Sequence, residues 1–201
     1  MSFFLDIFCY NKKRIWKFTL NMVLALDIGN SNVVIGLWAN GRWAEVWRLP
    51  TLLQQDALLY YETQLSDLLL ESGYESVRID RVIISSVVPD LKDLFRELAR
   101  HLFGHEPVIV GPEWYHLLEF NTSNPSEMGA DLFANAVAAH HHLRADCVVV
   151  DFGTALTFTT LTAQGRVQGV VIAPGLKTAM SALFQKTAQL PEVPLEVPDS
   201  A

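Results

Sequence analysis

Two short stretches of this chain carry the residue types that handle phosphate: Asp27-Ile28-Gly29-Asn30-Ser31-Asn32 and Asp151-Phe152-Gly153-Thr154. Each lies between β-rich apolar runs, Val23 to Leu26 and Val33 to Trp38 for the first, Cys147 to Val150 and Leu156 to Leu161 for the second. At such a corner the aspartate holds Mg²⁺ or one of its waters, which makes Asp27 a candidate magnesium residue through the phosphates. The glycine lets backbone N–H groups approach phosphate oxygens. Ser31, Asn32 and Thr154 add side-chain donors. One Asp-x-Gly corner is an ordinary turn; two, each between strands and far apart in the chain, predict two lobes that grip a nucleotide from both sides. Met128-Gly129-Ala130-Asp131 precedes a predicted helix. There Asp131 is either a first-turn carboxylate favoured by the helix dipole or a general base for a hydroxyl attacking a γ-phosphate, and the two roles are compatible. Neither a Gly-x-x-x-x-Gly-Lys-Ser/Thr loop nor a Gly-x-Gly-x-x-Gly turn occurs, which disfavours Walker-type and Rossmann nucleotide sites.

The elements that must position these residues repeat a pattern. Strand, polar corner and strand are followed by the hairpin signal Asn40-Gly41 and a third strand through Trp43 and Val46 to Trp47, stopped by Pro50. Leu58, Leu65, Leu68 and Leu69 predict a helix ending at Gly73, Val82 to Val88 a buried strand closed by Pro89, and Leu91 to Leu102 an amphipathic helix. Val108 to Val110 reads as a short strand. The polar stretch Asn121 to Glu127 suggests a lobe boundary. A helix from Asp131 to about Leu143 then leads into the second strand–corner–strand, a turn at Gln164-Gly165, a strand over Val167 to Ile172 and a helix through Met180, Leu183 and Phe184. This divides the chain into an extension over 1–21, a first lobe over 22–118 and a second over 119–201 that ends without a closing element. Trp38, Trp43 and Trp47 are expected to pack across the opening sheet.

Composition narrows the function class. Hydrophobic residues make up 50% of the 201 and charged residues 18%, enough for a sizeable core. A net charge of -7 without a basic stripe over the fold disfavours nucleic acid and anionic membranes as partners. Cys9 and Cys147 have no neighbours at metal-ligand spacing, and no apolar run approaches the roughly 20 residues of a spanning helix. The expectation is a cytoplasmic α/β protein. The consecutive His140, His141 and His142 point in different directions on a helix and are not a metal pair.

The chain resembles the type III pantothenate kinases. The likeness is carried by Leu24-Ala25-Leu26-Asp27-Ile28-Gly29-Asn30-Ser31-Asn32, Val82-Ile83-Ile84-Ser85-Ser86-Val87-Val88-Pro89, Gly129-Ala130-Asp131, Asp151-Phe152-Gly153-Thr154-Ala155, Ala173-Pro174-Gly175 and Leu190-Pro191, in that order. The resemblance implies a duplicated ribonuclease H-like (actin/hexokinase-like) α/β fold of mixed sheets with flanking helices. It implies ATP-dependent phosphorylation of pantothenate to 4'-phosphopantothenate, the first step of coenzyme A biosynthesis. Asp27, Ile28, Gly29, Asn30, Ser31, Asn32, Val33 and Val34 would form the first ATP phosphate loop, and Thr154 would contact ATP. Asp151 would lie at an activating monovalent cation, K⁺ or NH₄⁺. Gly129, Ala130, Asp131 and Leu132 would touch pantothenate, Asp131 being the base, and the enzyme would be a Mg²⁺-dependent homodimer. Where the family usually has Gly-Ala-Asp-Arg, this chain has Leu132. Two further readings stay open on the residues alone: a non-catalytic nucleotide-binding regulatory relative, and a kinase of the same fold for another hydroxyl-bearing metabolite.

Overall fold

A computed structural model describes residues 22–120 and 127–186. The expected 1–21 extension, most of the Asn121 to Glu127 boundary and the Pro-rich stretch beyond 186 lie outside the described residues.

The first sheet begins with β1 (Met22–Ile28), β2 (Asn32–Ala39) and β3 (Arg42–Pro50) as an antiparallel meander. The Asn40-Gly41 turn joins β2 to β3 with positive φ at both residues (54° and 83°), the conformation this pair adopts more readily than any β-branched residue. After α1 (Ala57–Glu71) the chain adds β4 (Arg81–Ser86) parallel to β1, and after α2 (Pro89–Phe103) it adds β5 (Val108–Ile109) parallel to β4. The strand order is β3-β2-β1-β4-β5. Val87 and Val88, expected in β4, lie outside it. Pro89 is the first residue of α2, where its missing N–H costs no hydrogen bond.

The second sheet repeats the opening meander with β7 (Cys147–Phe152), β8 (Ala155–Leu161) and β9 (Arg166–Pro174), and β6 (Glu119–Phe120) pairs parallel to β9. Its order is β6-β9-β8-β7. Helix α3 (Ala130–Leu143) precedes β7, and α4 (Leu176–Lys186) follows β9. This is the duplicated, mixed-sheet α/β plan that the resemblance implies. In both units the strand runs through the aspartate and the residue after it, so the polar corners are shorter than the sequence suggests.

One face of the first sheet buries Leu24, Leu26, Ile28, Ile35 and Leu37 against Tyr61, Leu65 and Leu69 of α1 and Leu91, Phe95 and Leu98 of α2. The opposite face contributes Val23, Ala25 and Ile83 to a second cluster with α3, which also reaches Leu161 and Val167 of the second sheet. Helix α3 is therefore covered on both sides, and every residue from Leu132 to Ala139 is buried. Its run of alanines suits that position, because small side chains let two sheets approach one helix, and a helix buried all round shows no strong amphipathic stripe.

The three tryptophans do not form one cluster. Trp38 and Trp43 are cross-strand partners and meet edge to face at 4.9 Å on the α3 side. Trp47 pairs with Ile35 and packs into the α1/α2 core. A bulge between Leu37 and Trp38 shifts the register and sends the two groups to opposite faces.

Tyr61 ties this core to the first polar corner. It is fully buried, with its ring 4.7 Å from that of Phe95. Its hydroxyl accepts from Leu52 N at 2.8 Å and donates to Pro50 O at 3.0 Å. The adjoining Thr51 donates its N–H to Ser31 O (3.1 Å) and its hydroxyl to Gly29 O (2.7 Å). Replacing Tyr61 with Phe keeps the ring and strands both backbone partners, so urea unfolding should show a loss of about 1–3 kcal/mol. An unchanged midpoint would remove this anchor from the account.

Candidate active site

The two corners meet. Ser31 Oγ and Thr154 Oγ1, 123 residues apart in the chain, lie 2.8 Å from one another in a hydrogen bond between the two units. In each corner the glycine N–H donates to a carbonyl just ahead of it: Gly29 N to Asn32 O, three residues on, at 3.0 Å, and Gly153 N to Ala155 O, two residues on, at 2.9 Å. A side chain at either glycine would press on that same carbonyl, at 3.3 Å and 3.4 Å respectively. The second corner has a further restraint in Thr154 O, which accepts from Gly175 N (3.0 Å) and from the Thr178 hydroxyl (2.8 Å). A Cβ on Gly175 would fall 2.1 Å from Gly153 O, so backbone approaches backbone here as only glycine permits.

Asp27 ends β1 on the face towards α3. The strand register sets Ser85 of β4 beside it on one side and Val34 of β2 on the other, with Arg48 of β3 beyond Val34. Burial above all, then the charges of Asp131 and Asp151, push the Asp27 carboxyl up to about 7, against smaller opposing effects of the Ser85 hydroxyl and the Arg48 guanidinium. Ser85 Oγ is itself fully buried and makes no hydrogen bond of good geometry among the described residues, so its pull on Asp27 is a weak one.

Asp131 stands in the first turn of α3, after Gly129 at the N-cap. Its Oδ1 accepts from Leu132 N at 2.7 Å and lies so close to Gly129 that a Cβ there would come within 2.5 Å of it. Burial raises its pKa first and the charge of Asp151 adds to that, while the N–H groups at the helix start pull it back. One turn further along the helix, Asn135 Nδ2 donates to Asp151 Oδ2 at 3.1 Å and fastens α3 to the end of β7. Tyr115 donates its hydroxyl to Met128 O and packs on Phe133, bracing the segment before the helix.

Sequence reasoning selected the three aspartates, and the fold brings them into one electrostatically coupled group. It also selected residues whose side chains are turned inward: Ile28 and Val33 are completely buried, and the Leu132 side chain points into the core. Gly129, Ala130 and Asp131 lie together at the α3 start, and Asn30, Ser31 and Asn32 form the rim of the first corner with Val34 behind. Ser85 stands in the Val82–Pro89 motif without a site role, and Arg48 and Asn135 were not singled out. For Asn135 a signal existed, since i+4 from Asp131 places it on the same helix face. Ser85 and Arg48 become visible only through strand pairing. Among the described residues no cluster of three or more His, Cys, Asp or Glu side chains is arranged to hold a metal.

A family model described as type III pantothenate kinase matches residues 23–201. The chain belongs to this family. The type III pantothenate kinase of Treponema pallidum (strain Nichols) is 42% identical over 183 residues, covering 89% of this chain and 67% of its own length. That of Geotalea uraniireducens (strain Rf4) is 40% identical over 177 residues, covering 88% and 69%. This type III pantothenate kinase chain thus spans about two thirds of the length of those relatives. Among solved structures, the type II variant of the Aquifex aeolicus Ppx/GppA phosphatase is similar at 15% identity and a TM-score of 0.49, covering 85% of this chain and 56% of that one. The ethanolamine utilization protein EutJ from Carboxydothermus hydrogenoformans is similar at 12% identity and a TM-score of 0.44, covering 95% and 68%.

The Asp27 shift fixes a pH dependence of stability. Between the ordinary 3.8 and about 7, the folded chain holds a proton that the unfolded chain has released, so this group's contribution is full below pH 4 and is lost as pH rises to 7. Asp27→Asn should remove that decline and raise stability at pH 8 by a few kcal/mol. Chemical denaturation of both proteins at pH 5 and 8 checks it, and an equal effect at the two pH values would contradict the burial of this carboxyl.

Proposed function

We propose that this chain transfers the γ-phosphoryl group of ATP to the hydroxyl of pantothenate, giving 4'-phosphopantothenate, the first committed phosphorylation towards coenzyme A. The observation that carries the reading is the 2.8 Å hydrogen bond of Ser31 with Thr154, which brings together two corners that are each suited to phosphate. Membership of the type III pantothenate kinase family gives those corners their substrates.

In this reading the segment from Asp27 to Val34 forms the first phosphate loop. Because Ile28 and Val33 are buried, its donors are backbone N–H groups with the Ser31 and Asn32 side chains. Thr154 contacts the nucleotide from the opposite corner. The α3 start, Gly129 to Leu132, receives pantothenate. Asp131 accepts the hydroxyl proton as the substrate oxygen forms its bond to the γ-phosphorus and the bond to the departing ADP oxygen breaks. Burial first, and then the nearby Asp151, raise its pKa above that of a free carboxylate, which strengthens it as a base, while the N–H groups at the helix start act in the opposite direction.

The donor set fits a magnesium ion that arrives with the nucleotide. Such an ion keeps several waters and phosphate oxygens and asks only one or two carboxylates of the protein, so no three-carboxylate cage is required. Asp27 would hold it and Asp151 would sit at the monovalent cation, K⁺ or NH₄⁺. Mg²⁺ would supply charge neutralisation of the phosphates. A homodimer belongs to the same reading. No helix among the described residues is long and apolar enough to cross a membrane, and a cytoplasmic site accords with a water-soluble substrate.

Asp131→Asn should lower kcat by roughly 10²- to 10⁴-fold with little change in KM for ATP, measured by coupled ADP release. Undiminished turnover would take Asp131 out of the mechanism.

A further inference from the structure

Three carboxylates, Asp27, Asp131 and Asp151, act on one another electrostatically, with Asn135 of the helix that begins at Asp131 bonded to Asp151. A triphosphate and a carboxylate-bearing substrate would both bring more negative charge to the same place. Like charges brought together in a partly desolvated site repel one another more strongly than they would in water. Beside the Mg²⁺ and the monovalent cation of the kinase reading, a cationic side chain at this place would add favourable charge for an anionic ligand. Leu132, at the substrate end, has no charge and faces the core.

The register supplies one candidate. Ser85, Asp27, Val34 and Arg48 form a single row across β4, β1, β2 and β3, so Arg48 shares the sheet face of Asp27, two strands away. A row of this kind puts side chains on one side of the sheet at spacings of about 5 Å per strand, within reach of an arginine side chain. Arg48 is exposed, and among the described residues it makes no ion pair. It precedes Leu49 and Pro50 at the end of β3, where Thr51 is fastened to the first corner through Ser31 O and Gly29 O. Its backbone is thus held rigidly beside the loop while its guanidinium stays free to meet a ligand. An exposed arginine has little to gain from the core, and its fork is suited to two oxygens of a phosphate or a carboxylate.

We propose that Arg48 is an anion-binding residue of this site, whose guanidinium receives a phosphate or carboxylate oxygen pair of a substrate. The inference rests on the proposed kinase reading and adds a specificity residue to it. Consistent with this position, the Arg48 charge is the one cation that acts on Asp27 among the described residues.

The test is calorimetric binding with the full 201-residue chain and no turnover, using a non-hydrolysable ATP analogue with Mg²⁺, ADP with Mg²⁺, and pantothenate. Wild type, Arg48→Gln, Arg48→Lys and the remote exposed control Arg78→Gln are compared, with melting temperatures to show that each is folded. Arg48→Gln should weaken at least one ligand about tenfold or more, with Arg48→Lys intermediate, because lysine keeps the charge and loses the fork. A loss confined to the ATP analogue assigns the γ-phosphate, a loss shared with ADP the inner phosphates, and a loss for pantothenate its carboxylate. Binding of all three ligands by Arg48→Gln within twofold of wild type overturns the inference and leaves the kinase reading standing. A folded wild-type chain that binds none of the three overturns both.

Discussion

Everything chemical in this chain depends on two glycine corners from different sheets being held at hydrogen-bonding distance. The Ser31–Thr154 contact is small in energy and exposed, so it does not create that proximity; it reports it. The proximity is created by α3, whose alanine-rich body lies between the two sheets and packs against β4, β7 and β8. The same helix presents Asp131 at its start and, one turn on, Asn135 to Asp151. One buried element thus sets the spacing of the sheets and aims the polar groups between them.

Crowding three carboxylates at the end of this helix works against folding. Burial, and then the charges of Asp131 and Asp151, raise the Asp27 pKa and show the direction of that effect. Stability here is offset elsewhere, by the large α1/α2 core behind β1 and by the Tyr61 anchor on the strap over residues 50–52. Such local opposition between stability and arrangement is characteristic of functional sites.

Much of this was legible in the residues. Asp-x-Gly between β-rich runs specifies a corner by local chemistry, Asn40-Gly41 specifies its turn by φ, and Leu58 to Leu69 and Leu91 to Leu102 show a helical period because one face of each helix meets a sheet. The duplicated plan followed from the repetition of strand, corner and strand. What could not be read belongs to pairing between distant strands. The bulge at Leu37 that separates Trp47 from Trp38 and Trp43 leaves no mark in composition. Ser85 and Arg48 reach Asp27 only through the parallel and antiparallel registers of three strand pairs. The strands also run further than periodicity suggested, because Asp27 and Asp151 are polar residues that nevertheless complete ladder pairings with Val34 and Thr157.

The central claim is that both corners serve one bound nucleotide. Hydrogen exchange of the backbone amides at 29–32 and at 153–155, followed as a non-hydrolysable ATP analogue with Mg²⁺ is titrated in, addresses it directly. Slowing of exchange at both segments with a common concentration midpoint is the predicted result. Protection at one corner while the other exchanges as in the free protein, or midpoints that differ several-fold, would contradict it.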